Sequence, residues 1–315
     1  HNYSSRHEQW IYREHNGGVN GGLTEFAYLP EAGLGHAIMI NSDNGAALRE
    51  ISRLVRAFET RDLEPPAIPE GTEPGPEARE LAGYYHPINP RQQLSYFLDR
   101  SLGIERLWFE GGELRRKPLL GGEVLEYRPA GGGRFRSPDT GRIVLVQTVD
   151  PLAGPVVHAG RLVLKPVSSL VAYGQLVIGA LWLVSIVTSF LYFLVWGIRE
   201  WRGRVPAGPA TRIRVWPLLA SVSVVAFIVL FAIGMSSTSQ LFETLGRPTA
   251  TSVAIMLATL AFAAFALLGV FTAFRERRAE MNRFNYWYCS ITSSLHLLVA
   301  AYLAWFGIIG IQTWA

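Results

Sequence analysis

The second half of the chain is patterned by long apolar runs. From Pro166 to Ile198 there are 33 residues without a charge, where about 20 suffice to cross a bilayer as a helix. Three further runs, roughly Val215 to Met235, Thr251 to Phe274 and Trp287 to Ile311, are each flanked by polar or charged residues. This predicts an α-helical membrane domain of four transmembrane helices over residues 168–315. Upstream of it the period changes. Short apolar segments are separated by turn residues: Leu81 to Ile88, Glu105 to Leu119 around Gly111-Gly112, Glu123 to Ser137 around Gly131-Gly132-Gly133, Arg142 to Asp150, and Val156 to Val167 bending at Gly160. The alternation in Ile143-Leu145-Gln147 and Leu162-Leu164 is that of a half-buried sheet. Residues 79–167 therefore read as a small all-β module, an antiparallel barrel or sandwich. It holds no His, carboxylate or Cys cluster at ligand spacing, which favours a structural or docking role over a second catalytic site.

Residues 64–78 contain Glu64-Pro65-Pro66-Ala67-Ile68-Pro69-Glu70-Gly71-Thr72-Glu73-Pro74-Gly75-Pro76-Glu77, a composition that disfavours helix and sheet ladder alike and predicts a linker. Ahead of it, residues 1–63 offer a strand over Gln9 to Glu14, then four glycines within His15 to Gly22, then strands over Leu23 to Leu29 and Gly35 to Asn41 joined by Pro30 to Leu34. In residues 46–59, Ala47, Ile51, Leu54, Val55 and Phe58 recur at helical spacing, with Asp43 or Asn44 available as the N-cap. Three strands and one helix bury little apolar surface. The expectation is of a partial α+β unit whose sheet is completed by something upstream.

Composition sharpens the membrane reading. Charged residues make up 17% of the 315, below the roughly 25% usual for soluble proteins. The net charge of +4 invites a nucleic-acid reading until it is divided along the chain. Residues 1–164 carry 18 basic and 21 acidic side chains, while residues 165–315 carry 11 and 4. The positive excess therefore belongs to the apolar half, where it reports topology. Arg199, Arg202, Arg204, Arg212 and Arg214 follow the first run, and Arg275, Arg277, Arg278 and Arg283 follow the third. Positive loops stay cytoplasmic, so four spans place the N-terminal 165 residues and Ala315 on the outer, periplasmic or extracellular, face of the cell membrane. Trp201, Trp216, Tyr286, Trp287, Tyr288 and Trp314 near the span ends fit interfacial anchors. His296 lies within the fourth run near Ser293, Ser294 and Tyr302, and is expected to hydrogen-bond between helices rather than relay protons. A single cysteine, Cys289, excludes an internal disulfide and a cysteine-based zinc site.

One segment suggests chemistry. His15-Asn16-Gly17-Gly18 stands ahead of a strand, a turn, a second strand and a helix, through to Gly45. In this order of elements it resembles the C-terminal part of the serine β-lactamase and penicillin-binding-protein-like hydrolases, close to their class C branch. The resemblance covers residues 1 to about 60 and implies a β-lactamase/transpeptidase-like fold. It also implies that His15 takes the place of the third-motif lysine, Asn16 and Gly17 those of the threonine and glycine that bind substrate, and the Gly18 amide that of an oxyanion donor. No Ser-x-x-Lys and no Tyr-x-Asn occurs, and the only lysines are Lys117 and Lys165. Ser42-Asp43-Asn44 follows the third motif instead of preceding it and reads as a helix cap.

Two functions follow as expectations. The first is a fragment of an exported, membrane-anchored serine hydrolase that acts through an acyl-enzyme on an amide, ester or peptide. The parent would be an enzyme, and this chain, lacking the nucleophile half, would be inactive. The second is a non-catalytic membrane receptor or scaffold that binds a cell-wall or peptide ligand. Either takes a small-molecule or peptide partner and a lipid bilayer, and neither implies nucleic acid, a metal or an organic cofactor.

Overall fold

The computed structural model describes residues 3–76, 80–90, 92–204, 208–236 and 241–314. The end of the expected linker, residues 77–78, and Ala315 lie outside the described residues. The chain divides into two compact units, residues 1–89 with 103–168, and residues 90–102 with 169–315.

The first unit holds two β structures. Strands β1 (Tyr3–His7), β2 (Trp10–Val19), β3 (Gly22–Leu29) and β4 (Leu34–Ile40) form an antiparallel meander in that order. The β2–β3 hairpin turns through Asn20 and Gly21, whose φ of 80° is one that glycine adopts at no steric cost. Helix α1 (Gly45–Thr60) lies on one face of the sheet, capped by the Asn44 side chain, which accepts from the amides of Ala46 and Ala47 at 3.1 Å each. Its orientation reverses the sequence expectation. Leu48, Ser52, Arg56 and Thr60 are buried against the sheet, while Ile51, Leu54 and Phe58 are exposed. The other face of the sheet is open too, with Phe26 and Met39 exposed.

The second β structure is a closed barrel of eight strands: β5 (Gly83–Pro87), β6 (Glu105–Glu110), β7 (Glu113–Pro118), β8 (Leu125–Pro129), β9 (Arg134–Arg136), β10 (Ile143–Asp150), β11 (Gly154–Ala159) and β12 (Leu162–Val167), with β12 pairing back to β5. Closure decides between the two architectures left open by the sequence. Alternate residues point inward, and Leu107, Leu114, Phe135, Leu145, Val157 and Leu164 fill the interior with Tyr85 and Tyr127. Each fully buried aliphatic side chain contributes about 1.5–3 kcal/mol. The linker from Glu64 to Gly75 is without regular structure and is strapped to the barrel by the amide of Thr72, which donates to the Pro129 carbonyl at 2.9 Å.

The second unit contains four helices long and apolar enough to cross a membrane: α3 (Ser169–Trp201), α4 (Pro209–Gly234), α6 (Ala250–Arg275) and α7 (Arg283–Trp305). The single turn α5 (Leu241–Thr244) lies between α4 and α6, and a short helix α2 (Tyr96–Leu102) also belongs to this unit. In each long helix only 17% to 33% of the most apolar stretch is buried, so most of its apolar surface faces outward. Such a surface is stable only in an apolar solvent, which makes the chain a multi-pass membrane protein. Inside the bundle, Ile186, Ala220, Val224, Phe262, Ala266 and Ala300 form the central contact. The fourth span ends at Trp305, short of the expected Ile311.

Candidate functional site: a cleft in the extramembrane unit

The residues singled out from sequence fall in the middle of β2. His15, Asn16, Gly17 and Gly18 are all exposed and pair in register with Phe26, Glu25, Thr24 and Leu23 of β3. Side chains alternate along a strand, so His15 and Gly17 share the open face of the sheet while positions 16 and 18 share the face that carries α1. The His15 side chain makes no hydrogen bond or ion pair with another described residue. The glycines have a packing reason: a Cβ at Gly17 would come within 3.0 Å of Thr24 Oγ1, and one at Gly18 within 3.1 Å of Leu23 Cδ2. Ser42-Asp43-Asn44 acts as a cap, with the Ser42 hydroxyl accepting from the Asn44 amide and Asp43 accepting from the Gly21 amide.

Beneath α1 lies a buried ionic network that no sequence motif announced. The Arg56 guanidinium contacts the carboxylates of Glu14 and Glu25, the latter at 2.8 Å, donates to Ser5 Oγ at 2.8 Å, and stands 4.8 Å from the centre of the Tyr12 ring. His36 bridges Glu25 through Nε2 at 3.2 Å and Glu59 through Nδ1 at 3.1 Å, and the Tyr12 hydroxyl donates to Glu59 at 2.9 Å. Burial opposes the charge on Glu25, but the hydrogen-bonding side chains around it and the Arg56 charge outweigh burial and hold its carboxyl below the usual range. Burial pushes the Tyr12 phenol up, and its hydrogen bond to Glu59 adds to the effect. Arg56 offsets the carboxylates of Glu14 and Glu25, His36 and Tyr12 hydrogen-bond Glu59, and the helix closes over them. They hold α1 in place.

Room for a ligand lies elsewhere in the same unit. A cleft of about 500 Å³ is lined by Trp10 and Ile11 of β2, Glu31 of the β3–β4 turn, Pro66 and Pro69 of the linker, Arg136 of β9, and Arg142 with Ile143 at the start of β10. Its volume is within the range of about 300–1,000 Å³ typical of small-molecule sites. Gly141 has a φ of 66°, and a Cβ there would collide with the Pro69 ring, so glycine lets the linker close over the loop. The Arg136 Nη1 donates to the Gly141 carbonyl at 2.8 Å and braces the loop from inside. Arg142 is ion-paired with Glu31, and Arg6 with Asp139, so both links tie the sheet to the barrel. Partial burial lowers the Arg142 pKa, and the neighbouring Arg13 charge adds to the effect. Apolar walls of Trp10 and Ile143 beside two guanidinium groups suit a ligand with an apolar body and a carboxylate.

In the membrane unit, His296 is fully buried and bonded between helices, as expected. The Trp182 indole, which can only donate, reaches Nδ1 at 3.0 Å. Nε2 then carries the proton and faces Ser221 Oγ at 3.1 Å, whose hydroxyl donates to the Pro217 carbonyl at 2.9 Å. A neutral ring with both nitrogens satisfied fastens α3, α4 and α7 together.

No family model matches the chain and no curated protein sequence does. Among solved structures the chain is similar to a crystal structure of SurE with D-Leu, at 17% identity and a TM-score of 0.26, covering 53% of this chain and 38% of that one. A crystal structure of SurE is similar at 18% identity and the same TM-score of 0.26, covering 53% and 36%. The chain thus spans well under half of either SurE chain, and a likeness of this size carries no argument about fold or activity. The resemblance to serine β-lactamases and penicillin-binding proteins does not hold: no family model and no curated protein of that group matches the chain, and the two solved structures named above are SurE. The architecture is a four-stranded meander with one helix, a closed barrel and four apolar helices, and no β-lactamase fold is shown. The physical reason is that a glycine-rich strand, followed by a hairpin and a capped helix, reproduces the order of elements of that family within a different architecture. The roles given to His15, Asn16, Gly17 and Gly18 rested on that resemblance.

Proposed function

We propose that the chain is a multi-pass membrane receptor or scaffold whose extramembrane unit lies outside the cell and takes a short peptide or small carboxylate-bearing ligand in the cleft between sheet, linker and barrel. The observation that carries this reading is the cleft itself, a ligand-sized concavity pairing Trp10 and Ile143 with Arg136 and Arg142. A ligand carboxylate taking the place of Glu31 on Arg142 supplies orientation, and the apolar wall supplies affinity. The sidedness is supported by nine arginines in the connectors after α3 and α6 and in the helix ends that flank them.

Saturation-transfer NMR on the purified chain, with a panel of N-acetylated di- and tripeptides bearing free C-terminal carboxylates, tests the ligand class. Binding by peptides with an apolar side chain is expected, weakened at least tenfold by Arg142→Gln, since a hydrogen bond to a charged group is worth about 1.5–3 kcal/mol. No binding across the panel, or equal binding by the variant, would overturn the assignment. Topology is checked separately. A reporter fused after Gly208 is expected to read cytoplasmic and one at the C-terminus external, and the opposite pattern would place the cleft inside the cell.

A further inference from the structure

Residues 90–102 interrupt the barrel sequence between β5 and β6, yet they belong to the membrane unit. A 3₁₀ turn at Gln93–Ser95 runs directly into α2. One side of this short helix is fastened to the ends of two spans. The Tyr302 hydroxyl of α7 donates to the Phe97 carbonyl at 2.7 Å, and the Gln175 amide of α3 donates to the carbonyls of Arg100 and Ser101 at 3.2 and 3.1 Å. The Tyr96 ring meets Phe306 edge-on with ring centres 5.5 Å apart. Gln175 thereby satisfies carbonyls that the end of a helix leaves unpaired.

Leu98 and Leu102 are four residues apart in α2, which places them on one side of it, and Leu94 precedes them by four residues in the 3₁₀ turn. Leu94, Leu98 and Leu102 are 53%, 45% and 49% exposed. Held in water, a leucine forgoes the roughly 1.5–3 kcal/mol that its burial would return. The helix also sits at a defined level of the bundle. Gln175 is six residues into α3, about 9 Å of helical rise from its start, and Tyr302 lies in the last turn of α7. At that level α3 itself exposes Leu170, Val171, Tyr173 and Val177. Exposed apolar side chains of the 94–102 segment and of α3 thus occur at the same level of the bundle.

We propose that α2 and the 3₁₀ turn before it form an in-plane interfacial segment whose partner is the bilayer, with Leu94, Leu98 and Leu102 inserted at the boundary between headgroups and acyl chains. Interfacial helices bury their apolar face about 5–10 Å into this boundary, and α2 is bonded near the ends of α3 and α7, where spans reach the headgroup region. The inference depends on the four long helices spanning the bilayer and not on the ligand-binding reading.

Nitroxide labels test it in the full chain reconstituted into vesicles of phosphatidylcholine and phosphatidylglycerol. Leu94→Cys, Leu98→Cys and Leu102→Cys are each made in a Cys289→Ala background. Native Cys289, which is fully buried, serves as an alternative background should that variant fold poorly. Power saturation with oxygen, which partitions into lipid, and with a water-soluble nickel chelate is then compared. All three sites are expected to be relaxed several-fold more by oxygen than by nickel. Leu152→Cys, in the 99% exposed β10–β11 turn, marks the aqueous limit, and Leu181→Cys on the outward side of α3 marks the acyl interior. Nickel access at the α2 sites equal to that at position 152 would overturn the proposal, as would shielding from both reagents, which would mean a protein partner. Nickel access at position 181 would refute the membrane spans instead, and the interfacial helix would fall with them.

Discussion

Arg56→Met is expected to destabilise the docking of α1 on its sheet by about 3–5 kcal/mol at neutral pH, the cost of removing one partner from a buried ionic group. The guanidinium is 8% exposed and stands between Glu14 and Glu25, which are 9% and 11% exposed. Without it two carboxylates, with Glu59 beyond His36, remain in a space closed by the helix, and like charges there repel in a low dielectric. Hydrogen exchange over residues 45–60 measures the effect as faster opening of α1. Adding Glu14→Gln and Glu25→Gln to the variant is expected to recover most of the loss, because the groups left behind then carry no charge. Exchange unchanged by Arg56→Met would show that the guanidinium contributes nothing to holding the helix. The pH dependence has a defined sign. The Glu25 carboxyl is held below its ordinary range in the folded chain, so its contribution is complete above the unfolded value of about 4.3 and is lost as the pH falls through the folded value. The native α1 contact should therefore be level near neutrality and weaken below about pH 4, where the defect of Arg56→Met shrinks.

The second large effect lies inside the bundle. Gly269→Leu is expected to cost about 1–3 kcal/mol or more by overpacking, because a Cβ at this position of α6 would stand 2.6 Å from Ser293 Oγ and 3.0 Å from Ser293 Cβ on α7. Both belong to rigid helices, and Trp216 Cβ of α4 at 3.5 Å blocks retreat to the other side. Close approach at small residues is the usual means by which helices associate in lipid. Cys289, the single cysteine, is fully buried on α7 and reports the loss directly. A thiol-reactive fluorophore should label it at a lower temperature in Gly269→Leu than in the native chain, with Gly269→Ala between them. Coincident labelling curves would mean that α6 and α7 are free to separate there.

The parts of the molecule with a strong local period were legible in the sequence. The barrel strands follow the glycine turns closely, as at Gly111-Gly112 between β6 and β7, because a positive φ is a local demand that only glycine meets cheaply. The spans were legible because twenty uncharged residues leave few alternatives. The orientation of α1 was not. Its apolar stripe through Ile51, Leu54 and Phe58 pointed to a buried face, but the sheet opposite carries Glu14, Glu25 and His36, and Arg56 pairs with them. Partners on three elements cannot be read from the period of one. β1 was missed because Tyr-Ser-Ser-Arg-His is too polar to announce a strand and is stabilised by pairing with β2. The leucine line of residues 94–102 was present in the sequence and too short to stand out. The cleft was invisible for a different reason: its walls come from residues 9–11, 31, 66–69 and 136–143, which only the folded chain brings together.

Closure of the barrel has a consequence for how this chain comes apart. Each of its eight strands has two neighbours, so no barrel strand offers an edge from which pairing can unzip. In the four-stranded meander, β1 and β4 each have one neighbour, so each leaves one edge unpaired. Opening events should therefore begin at the meander and stop at the barrel, which can let go only as a whole. A chain pulled from its first residues would yield its sheet at low force, and the barrel would then act as a stopper between that force and the membrane.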